Sequence, residues 1–281
     1  MTLEGLDIRI LGPACVAGLI VLSTHVPLGK QVLSRGIIFI DLAIAQIAAL
    51  GVILSQFLGV DEFLTRHFGA ALQGYGVQLV AVAAALSGAG LLAWTDRRWP
   101  QYQEPLIGTL FVLAATGSLL VVSHNPEGSE HLKNLLAADI LFIEFKQLIP
   151  AALLSVVLLV FMWLRRERLV GLLFYALFAI AITASVQLVG VYLVFASLIV
   201  PALATAGMRG RAQLFTAYGI GALGYVLGLC LSAVFDLPSG ALIVWTLAAC
   251  ALLAQLLPAV RRSHPARPAS AREDAVAEPT L

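Results

Sequence analysis

The sequence has little charge. Only 12% of its 281 residues are Asp, Glu, Lys or Arg, the formal net charge is +1, and 60% of the residues are hydrophobic. A soluble globular domain carries roughly 25% charged residues. This composition therefore excludes a soluble globular domain. A net charge near zero also gives no support for binding to nucleic acid or to acidic substrates. Any polarity that matters to function must therefore be local.

Cysteine is also scarce. Cys15, Cys230 and Cys250 lie inside apolar runs and show no paired spacing. This pattern argues against a disulfide framework and against a thiolate metal site. We expect the three side chains to act as small apolar groups in helices.

Two kinds of chemical motif are missing. The sequence contains no G-x-x-x-x-G-K-[ST] phosphate-binding loop, and no nucleophile, base and orienting group recur at a plausible spacing in any loop. We therefore predict that the chain is not an enzyme. If ATP drives its activity, the ATPase must be another chain.

Long apolar runs dominate what is present. About twenty apolar residues are needed to cross roughly 30 Å of hydrocarbon, and nine segments come close to this. Glu4 and Asp7 stand where a secretory signal would be basic, so the first run is predicted to be retained as a span. The sequence predicts an all-α, polytopic helical bundle in a transmembrane domain over residues 1–260. The spans are 10–27, 36–58, 75–95, 105–123, 147–164, 169–186, 188–207, 213–235 and 239–260.

Basic residues give the orientation. Most lie in the first, third, fifth and seventh loops or after the ninth span, and cytoplasmic loops are the ones enriched in Lys and Arg. The N-terminus is therefore predicted outside and the C-terminus inside. Residues 261–281, rich in Pro, Ala and charge, are predicted to form a disordered cytoplasmic tail. The basic residues on the predicted inner side are Lys30, Arg35, Arg97, Arg98, Arg165, Arg166, Arg168, Arg209, Arg211, Arg261 and Arg262.

The run "GIIFIDLAIAQIAALG", residues 36–51, places Asp41 in the second span. A charged group at this depth requires a partner, a wet cavity or a proton. Asp41 contacts a permeation path, pairs structurally with a neighbouring helix, or lies near a membrane interface. Gln46 follows five residues later, roughly 500° around a helix, so the two side chains do not share a face cleanly.

The stretch "LKNLLAADILFIEFKQLIP", residues 132–150, is too short and too charged to span. It is predicted to form a short helix at the outer face, with Pro150 beginning the next helix. His124 and His131 precede it in a loop that is either plain solvent-exposed chain or a metal-capturing segment. Elsewhere, Gly224 and Gly228 have the small-xxx-small spacing of close helix contacts, within the chain or across a dimer.

Taken in order, these segments resemble the permease subunits of zinc, manganese and iron ABC importers, over most of residues 20–250. "HVPLGKQVLSRGIIFIDLAIAQIAALG" resembles the opening segment of that family, and "EPLIGTLFVLAATGSLLVVS" a later span. "LLAADILFIEF" places Asp139 on a family aspartate, and "FDLPSGALIV" resembles the turn before the last span. The most specific match is "VQLVGVYLVFASLIVPALAT", which contains Gly190, Pro201 and Thr205.

The resemblance implies a fold like that of type II ABC importer permeases, in a bacterial plasma membrane. It implies a homodimeric or paired permease core, a cytoplasmic ATPase at each half, and an extracytoplasmic metal-binding protein. The chain would hold no resident cofactor, and a divalent metal ion would be its substrate. Candidate ion-path residues are Asp41, Gln46 and Asp139, with Asp41 as a metal ligand; candidate gating residues are Gly190, Pro201 and Thr205; candidate ATPase-docking residues are Arg165, Arg166, Arg168, Arg209 and Arg211.

Two features depart from the family. Its second helix carries a histidine four residues after the aspartate, whereas Gln46 stands near that place here, and an amide is a poor zinc ligand. The fifth loop, in which relatives carry several helical turns that dock to the ATPase, is short. These departures leave open a carrier or channel that works without an ATPase, and a membrane protein whose helices only pack.

Overall fold

The computed structural model describes residues 8–69, 75–123, 140–165 and 171–256. Every regular element in these ranges is helical, which confirms the all-α prediction. Two short 3-10 turns, Pro100–Tyr102 and Ile140–Phe142, accompany ten α-helices. The helices are α1 (Ile8–Arg35), α2 (Ile40–Phe57), α3 (Val60–Phe68), α4 (Tyr75–Arg98), α5 (Gln103–Val122), α6 (Phe145–Leu164), α7 (Leu172–Val189), α8 (Val191–Ala204), α9 (Gly210–Phe235) and α10 (Ser239–Gln255).

Each of the nine predicted spans corresponds to one of these helices, and α3 is a short additional helix. Six helices are long and apolar enough to cross a membrane, namely α1, α2, α4, α5, α7 and α9. The apolar parts of α6, α8 and α10 are shorter. The helix α8 has 14 residues, about 21 Å at 1.5 Å per residue, and most of its residues are buried inside the bundle.

Several boundaries differ from the prediction. Helix α1 continues to Arg35, so Lys30 lies inside a helix and not in a loop. Helix α6 begins at Phe145, so Pro150 lies inside it and does not begin it. The helix starts earlier because Leu148, two residues before the proline, already packs into the core. Of the segment 132–150, residues 132–139 lie outside the described residues, as do His124, His131 and the tail 261–281.

The prediction of close packing at Gly224 and Gly228 is confirmed within the chain. A Cβ on Gly224 would lie 2.5 Å from the side chain of Leu247, and one on Gly228 would lie 2.5 Å from the Cα of Ile243. These two glycines therefore let α9 approach α10. A Cβ on Gly29 would collide with the carbonyl oxygen of Leu198, so α1 and α8 are also in backbone contact.

Candidate functional site

Asp41 lies in the first turn of α2. Helix α1 ends at Arg35, Gly36 has a positive φ of 69°, and α2 begins at Ile40. A carboxylate in a first turn interacts favourably with the free N–H groups of the helix end. The local sequence therefore accounts for the position of Asp41, although it does not account for its burial.

The Asp41 side chain is 1% exposed. Its carboxyl group lies beside its own N–H and that of Leu42, but neither oxygen forms a hydrogen bond with acceptable geometry. A buried polar group without such a bond costs about 1–3 kcal/mol, and more if it is charged. Asp41 is therefore removed from water without the partner that a structural ion pair would supply.

Glu104, which the sequence analysis missed, lies next to this helix end. It occupies the first turn of α5, and its Oε1 accepts a hydrogen bond of 3.2 Å from the N–H of Phe39. Its Oε2 is buried and has no hydrogen-bond partner in the described part of the chain, and the two carboxyl groups are close enough to repel each other when both are ionised. The only sequence signal was an acidic residue at the inner edge of a span, in "QEPLIG".

Gln46 is also buried, with 4% of its side chain exposed. Five residues separate it from Asp41, or about 140° around an ideal helix, so the structure does not place the two on one face. Both are buried because α2 packs against α4, α5, α7 and α8. Asp139, the third predicted ion-path residue, lies outside the described residues.

Gly190 forms the whole connection between α7 and α8. Its φ is 78°, a conformation that glycine adopts without strain, and its N–H donates to the carbonyl of Val186 at 2.8 Å. Pro201 is buried in α8. The hydroxyl of Thr205 donates to the carbonyl of Pro201 at 2.8 Å. Of the three predicted gating residues, Gly190 therefore lies at the start of α8, and Pro201 and Thr205 lie at or near its end.

Two further polar sites on α1, α8 and α9 escaped the sequence analysis. The hydroxyls of Ser197 and Tyr225 are 2.8 Å apart and fully enclosed. His25 is also fully buried; its Nδ1 lies 2.8 Å from the carbonyl oxygen of Val21, and its Nε2 has no partner. A lone histidine in an apolar run was the only signal for this site.

One end of the bundle collects most of the described cations. The bond between Glu104 and Phe39 brings the start of α5 to the start of α2, and the guanidinium of Arg35 lies 4.0 Å from the ring centre of Phe174. A Cβ on Gly171 would lie 3.2 Å from the guanidinium of Arg97, which places the start of α7 at this same end. We call it the basic end; it is the predicted inner side.

A buried amide stiffens the basic end. Gln103 donates to the Tyr175 hydroxyl at 3.1 Å and to the Leu92 carbonyl at 3.0 Å, and it accepts from Thr95 at 3.0 Å. These bonds tie α4, α5 and α7 together. Because a buried network of this kind is fully bonded, it favours one arrangement of the three helices.

The predicted docking arginines are divided between described and undescribed residues. Arg165, Arg209 and Arg211 are exposed, and Arg165 also stacks over Phe161 at 5.8 Å. Arg166 and Arg168 lie outside the described residues. Helix α6 ends at Leu164 and α7 begins at Leu172, so the short fifth loop is confirmed.

Within the described ranges, no three His, Cys, Asp or Glu side chains come together as a metal-binding group. The three cysteines are half-buried free thiols, as expected. The candidate site therefore consists of two carboxyl groups, that of Asp41 on α2 and that of Glu104 on α5.

Two comparisons bear on identity. The family model described as "ABC 3 transport family" matches residues 7–174 and 166–257, almost the whole chain. The chain is also similar in fold to a solved structure, "PsaBC from Streptococcus pneumoniae in complex with Fab". That match has a TM-score of 0.72 at 20% sequence identity, and covers 93% of this chain and 98% of the other. The resemblance noted in the sequence is thereby confirmed, and the chain belongs to the ABC 3 transport family as a multi-pass membrane permease of an ABC transporter.

Proposed function

We propose that the chain is the membrane-spanning permease subunit of an importer of divalent metal ions, of the zinc or manganese class, driven by a separate ATPase chain. Membership of the ABC 3 transport family supports the transport part of this proposal. The observation that supports a cationic substrate is Asp41, a buried carboxyl group whose oxygens have no hydrogen-bond partner in the described part of the chain. Ionisable groups of this kind inside membrane segments mark ion pathways.

In this proposal the ion enters from the outside, passes along α2 and leaves past Asp41 at the basic end. A carboxylate at the inner end of the path attracts a cation that has lost part of its hydration shell. Helix α8, enclosed by its neighbours and bounded by Gly190 and Thr205, is the element whose movement would open or close the path. Its freed backbone group at Pro201 is tolerated because the surrounding helices exclude lipid.

Partners follow from the position of the basic end. Exposed Arg165, Arg209 and Arg211 are suited to an acidic surface of a cytoplasmic ATPase. With only residues 165–171 between α6 and α7, the connection 205–209, which ends at Arg209, would take a larger share of that contact. An extracytoplasmic metal-binding protein would deliver the ion at the other end, and a second permease copy would complete the core.

The excess of arginine and lysine at the basic end supports its placement in the cytoplasm of a bacterial cell, with the N-terminus outside. An odd number of spans, such as the nine predicted from the sequence, would place the two termini on opposite sides of the membrane. The orientation can be measured in sealed vesicles by testing whether a protease added to one side cleaves a tag at the N-terminus or at the C-terminus.

The first test is to tag the C-terminus, purify the protein gently from its native membrane and identify what accompanies it. An ATPase chain recovered at about a one-to-one ratio is the expected result. In the double variant Arg209→Glu with Arg211→Glu, ATPase recovery should fall sharply. Arg66→Glu reverses an exposed arginine of α3, at the other end of α2, and should leave recovery unchanged.

Recovery of the permease alone would contradict ATP coupling. The test must use conditions under which a related importer stays assembled. Ion flux through the isolated chain in liposomes would then identify a carrier or channel, and the absence of flux would leave a packing role.

A further inference from the structure

We propose that Asp41 and Glu104 together bind a divalent cation between the N-terminal ends of α2 and α5, with one carboxylate supplied by each helix. The proposal deepens the proposed function, on which it rests for the transport role of the site. It assigns Glu104 as a ligand, which neither the sequence analysis nor the comparisons do.

The position of Glu104 next to the start of α2 supports this site. Phe39, whose N–H holds Oε1 of Glu104 at 3.2 Å, is two residues from Asp41. The second carboxylate oxygen of Glu104 is thereby fixed near the start of α2, where it is buried and has no hydrogen-bond partner. The side chain is held in place through one oxygen, and the other oxygen remains available to a ligand.

The burial of Asp41 supports the same site, and it is an observation independent of the Glu104 contact. Asp41 is 1% exposed, and among the residues that the structure describes neither of its oxygens has a hydrogen-bond partner. Together the two groups provide three buried carboxylate oxygens that form no well-aligned hydrogen bond in the described part of the chain, although the N–H of Leu42 lies beside Asp41. Buried polar groups are almost always bonded, so three such oxygens at one place indicate a missing donor or cation.

The balance of charge between the two carboxyl groups and the adjacent helix ends also favours a cation. A helix N-terminus carries about half a positive charge, whereas two neighbouring carboxyl groups carry two negative charges that repel each other when both are ionised. The ends of α2 and α5 together supply about one positive charge and therefore do not neutralise the ionised pair, whereas a divalent cation would. Carboxylate oxygens are the ligands preferred by hard cations such as Mn²⁺ and Mg²⁺, more than by zinc.

The simplest competing explanation is that both carboxylates only stabilise the start of α2. Glu104 does perform that role through Oε1. A helix-capping role requires one bonded oxygen, however, and it does not account for the burial of the other three. The two explanations differ in what happens when Glu104 is replaced by glutamine, which keeps an oxygen acceptor for Phe39 and loses the negative charge.

A site shared between two helices also provides a means of release. Because Asp41 belongs to α2 and Glu104 to α5, a small change in the separation of these helices would remove one of the two ligands. The affinity for the cation would then fall without any change at Asp41. Movement of the basic end by an ATPase would in this way release the ion inward.

The test is equilibrium Mn²⁺ binding to the purified full-length chain, stripped of metal by a chelator and measured by electron paramagnetic resonance. We expect one saturable Mn²⁺ site per chain, weakened at least about tenfold in both Glu104→Gln and Asp41→Asn. Glu62→Gln is the matched control, since Glu62 is also an acidic residue in a first helical turn but lies exposed on α3. It should bind like the wild type.

A thermal melt separates ligation from capping. Mn²⁺ should raise the melting temperature of the wild type, because a ligand that binds only the folded state stabilises it. It should not raise that of Glu104→Gln, whose melting temperature without metal should match the wild type. If Glu104→Gln does not fold, Asp41→Asn decides the same question.

The proposal is overturned if the wild type has no saturable Mn²⁺ site, or if either variant binds Mn²⁺ like the wild type. These outcomes are separate from failure of the proposed function. A chain that binds Mn²⁺ as expected but recovers no ATPase would overturn the importer and keep the site. A chain that recovers its ATPase but binds Mn²⁺ equally well as Glu104→Gln would keep the importer and lose the site.

Discussion

Two regions of the bundle differ in whether their buried polar groups are hydrogen-bonded. Around α8, α9 and α10, hydroxyl groups are bonded: Tyr225 to Ser197 at 2.8 Å, and Thr246 to the carbonyl of Gly224 at 2.6 Å. At the start of α2, both oxygens of Asp41 and one oxygen of Glu104 have no such bond. The bonded groups hold helices together, whereas the carboxyl groups retain the capacity to bind something else.

The same contrast appears in how tightly the helices approach. Glycines bring α9 to within backbone contact of α10, and Gly29 brings α1 to α8. The start of α2 meets α5 through side chains, at Glu104. We therefore expect the first region to be intolerant of added volume, and the second to be tolerant of changes in charge. The following substitutions test that difference, in order of decreasing effect on stability.

Gly29→Ala should destabilise the protein most, because its Cβ would collide with the carbonyl of Leu198, which cannot move without α8. Overpacking of this kind costs about 1–3 kcal/mol or more. The matched control in the same helix is Gly12→Ala, since no atom lies within 4 Å of a Cβ at that position. The melting temperature in detergent should fall for Gly29→Ala alone; equal melting of the two variants would show that α1 and α8 are not in close contact.

Gly190→Ala should have the next largest effect. A φ of 78° with a ψ of 163° is a conformation that essentially only glycine adopts and costs a residue with a Cβ about 1–3 kcal/mol, and Gly190 is the one residue between α7 and α8. Gly219→Ala is the comparison, since that glycine lies inside α9 with open space around it. The ratio of folded to aggregated protein after mild heating reads the difference, and the prediction fails if both alanine variants behave alike.

Tyr225→Phe should cost about 1 kcal/mol, the usual value for one buried hydrogen bond. The effect is limited because Ser197 keeps its bond to the carbonyl of Leu193. The variant Ser197→Ala removes the partner and leaves the Tyr225 hydroxyl buried without its bond, so it should destabilise the protein at least as much. Chemical denaturation of both variants measures this, and a larger loss in Tyr225→Phe than in Ser197→Ala would contradict it.

Asp41→Asn should have the smallest effect on stability, with a melting temperature equal to the wild type or higher. The substitution removes a charge that has no hydrogen-bond partner. If Asp41 instead belonged to a buried ion pair, loss of one partner would cost about 3–5 kcal/mol. A large fall in melting temperature would therefore place Asp41 with the structural groups of α8 and α9.

The fold was predictable from the sequence because apolar length alone identifies membrane helices. The break at Gly190 was misplaced by a few residues because the run from 169 to 207 is nearly continuous, and only the positive φ of one glycine divides it. The start of α6 was also misplaced, since Pro150 was taken as its first residue. Local signals such as proline are weaker than packing of the residues around them.

The candidate site was predictable only in part. Asp41 stood out because an acidic residue inside an apolar run is rare, and the structure confirms that it is buried. Glu104 did not stand out, because it is separated from Asp41 by 63 positions and lies at the edge of its span. The pairing depends on how the starts of α2 and α5 meet, which is a tertiary contact that no spacing in a single sequence shows.

The most direct test of the account is metal uptake by cells that express the chain together with the ATPase that co-purifies with it. At equal amounts of protein in the membrane, Asp41→Asn should lower the initial rate of Mn²⁺ uptake at least about tenfold, as expected for loss of a metal ligand, while Glu62→Gln should transport normally. Uptake by Asp41→Asn at the wild-type rate would contradict the claim that the unpartnered carboxyl group at the start of α2 belongs to the ion path.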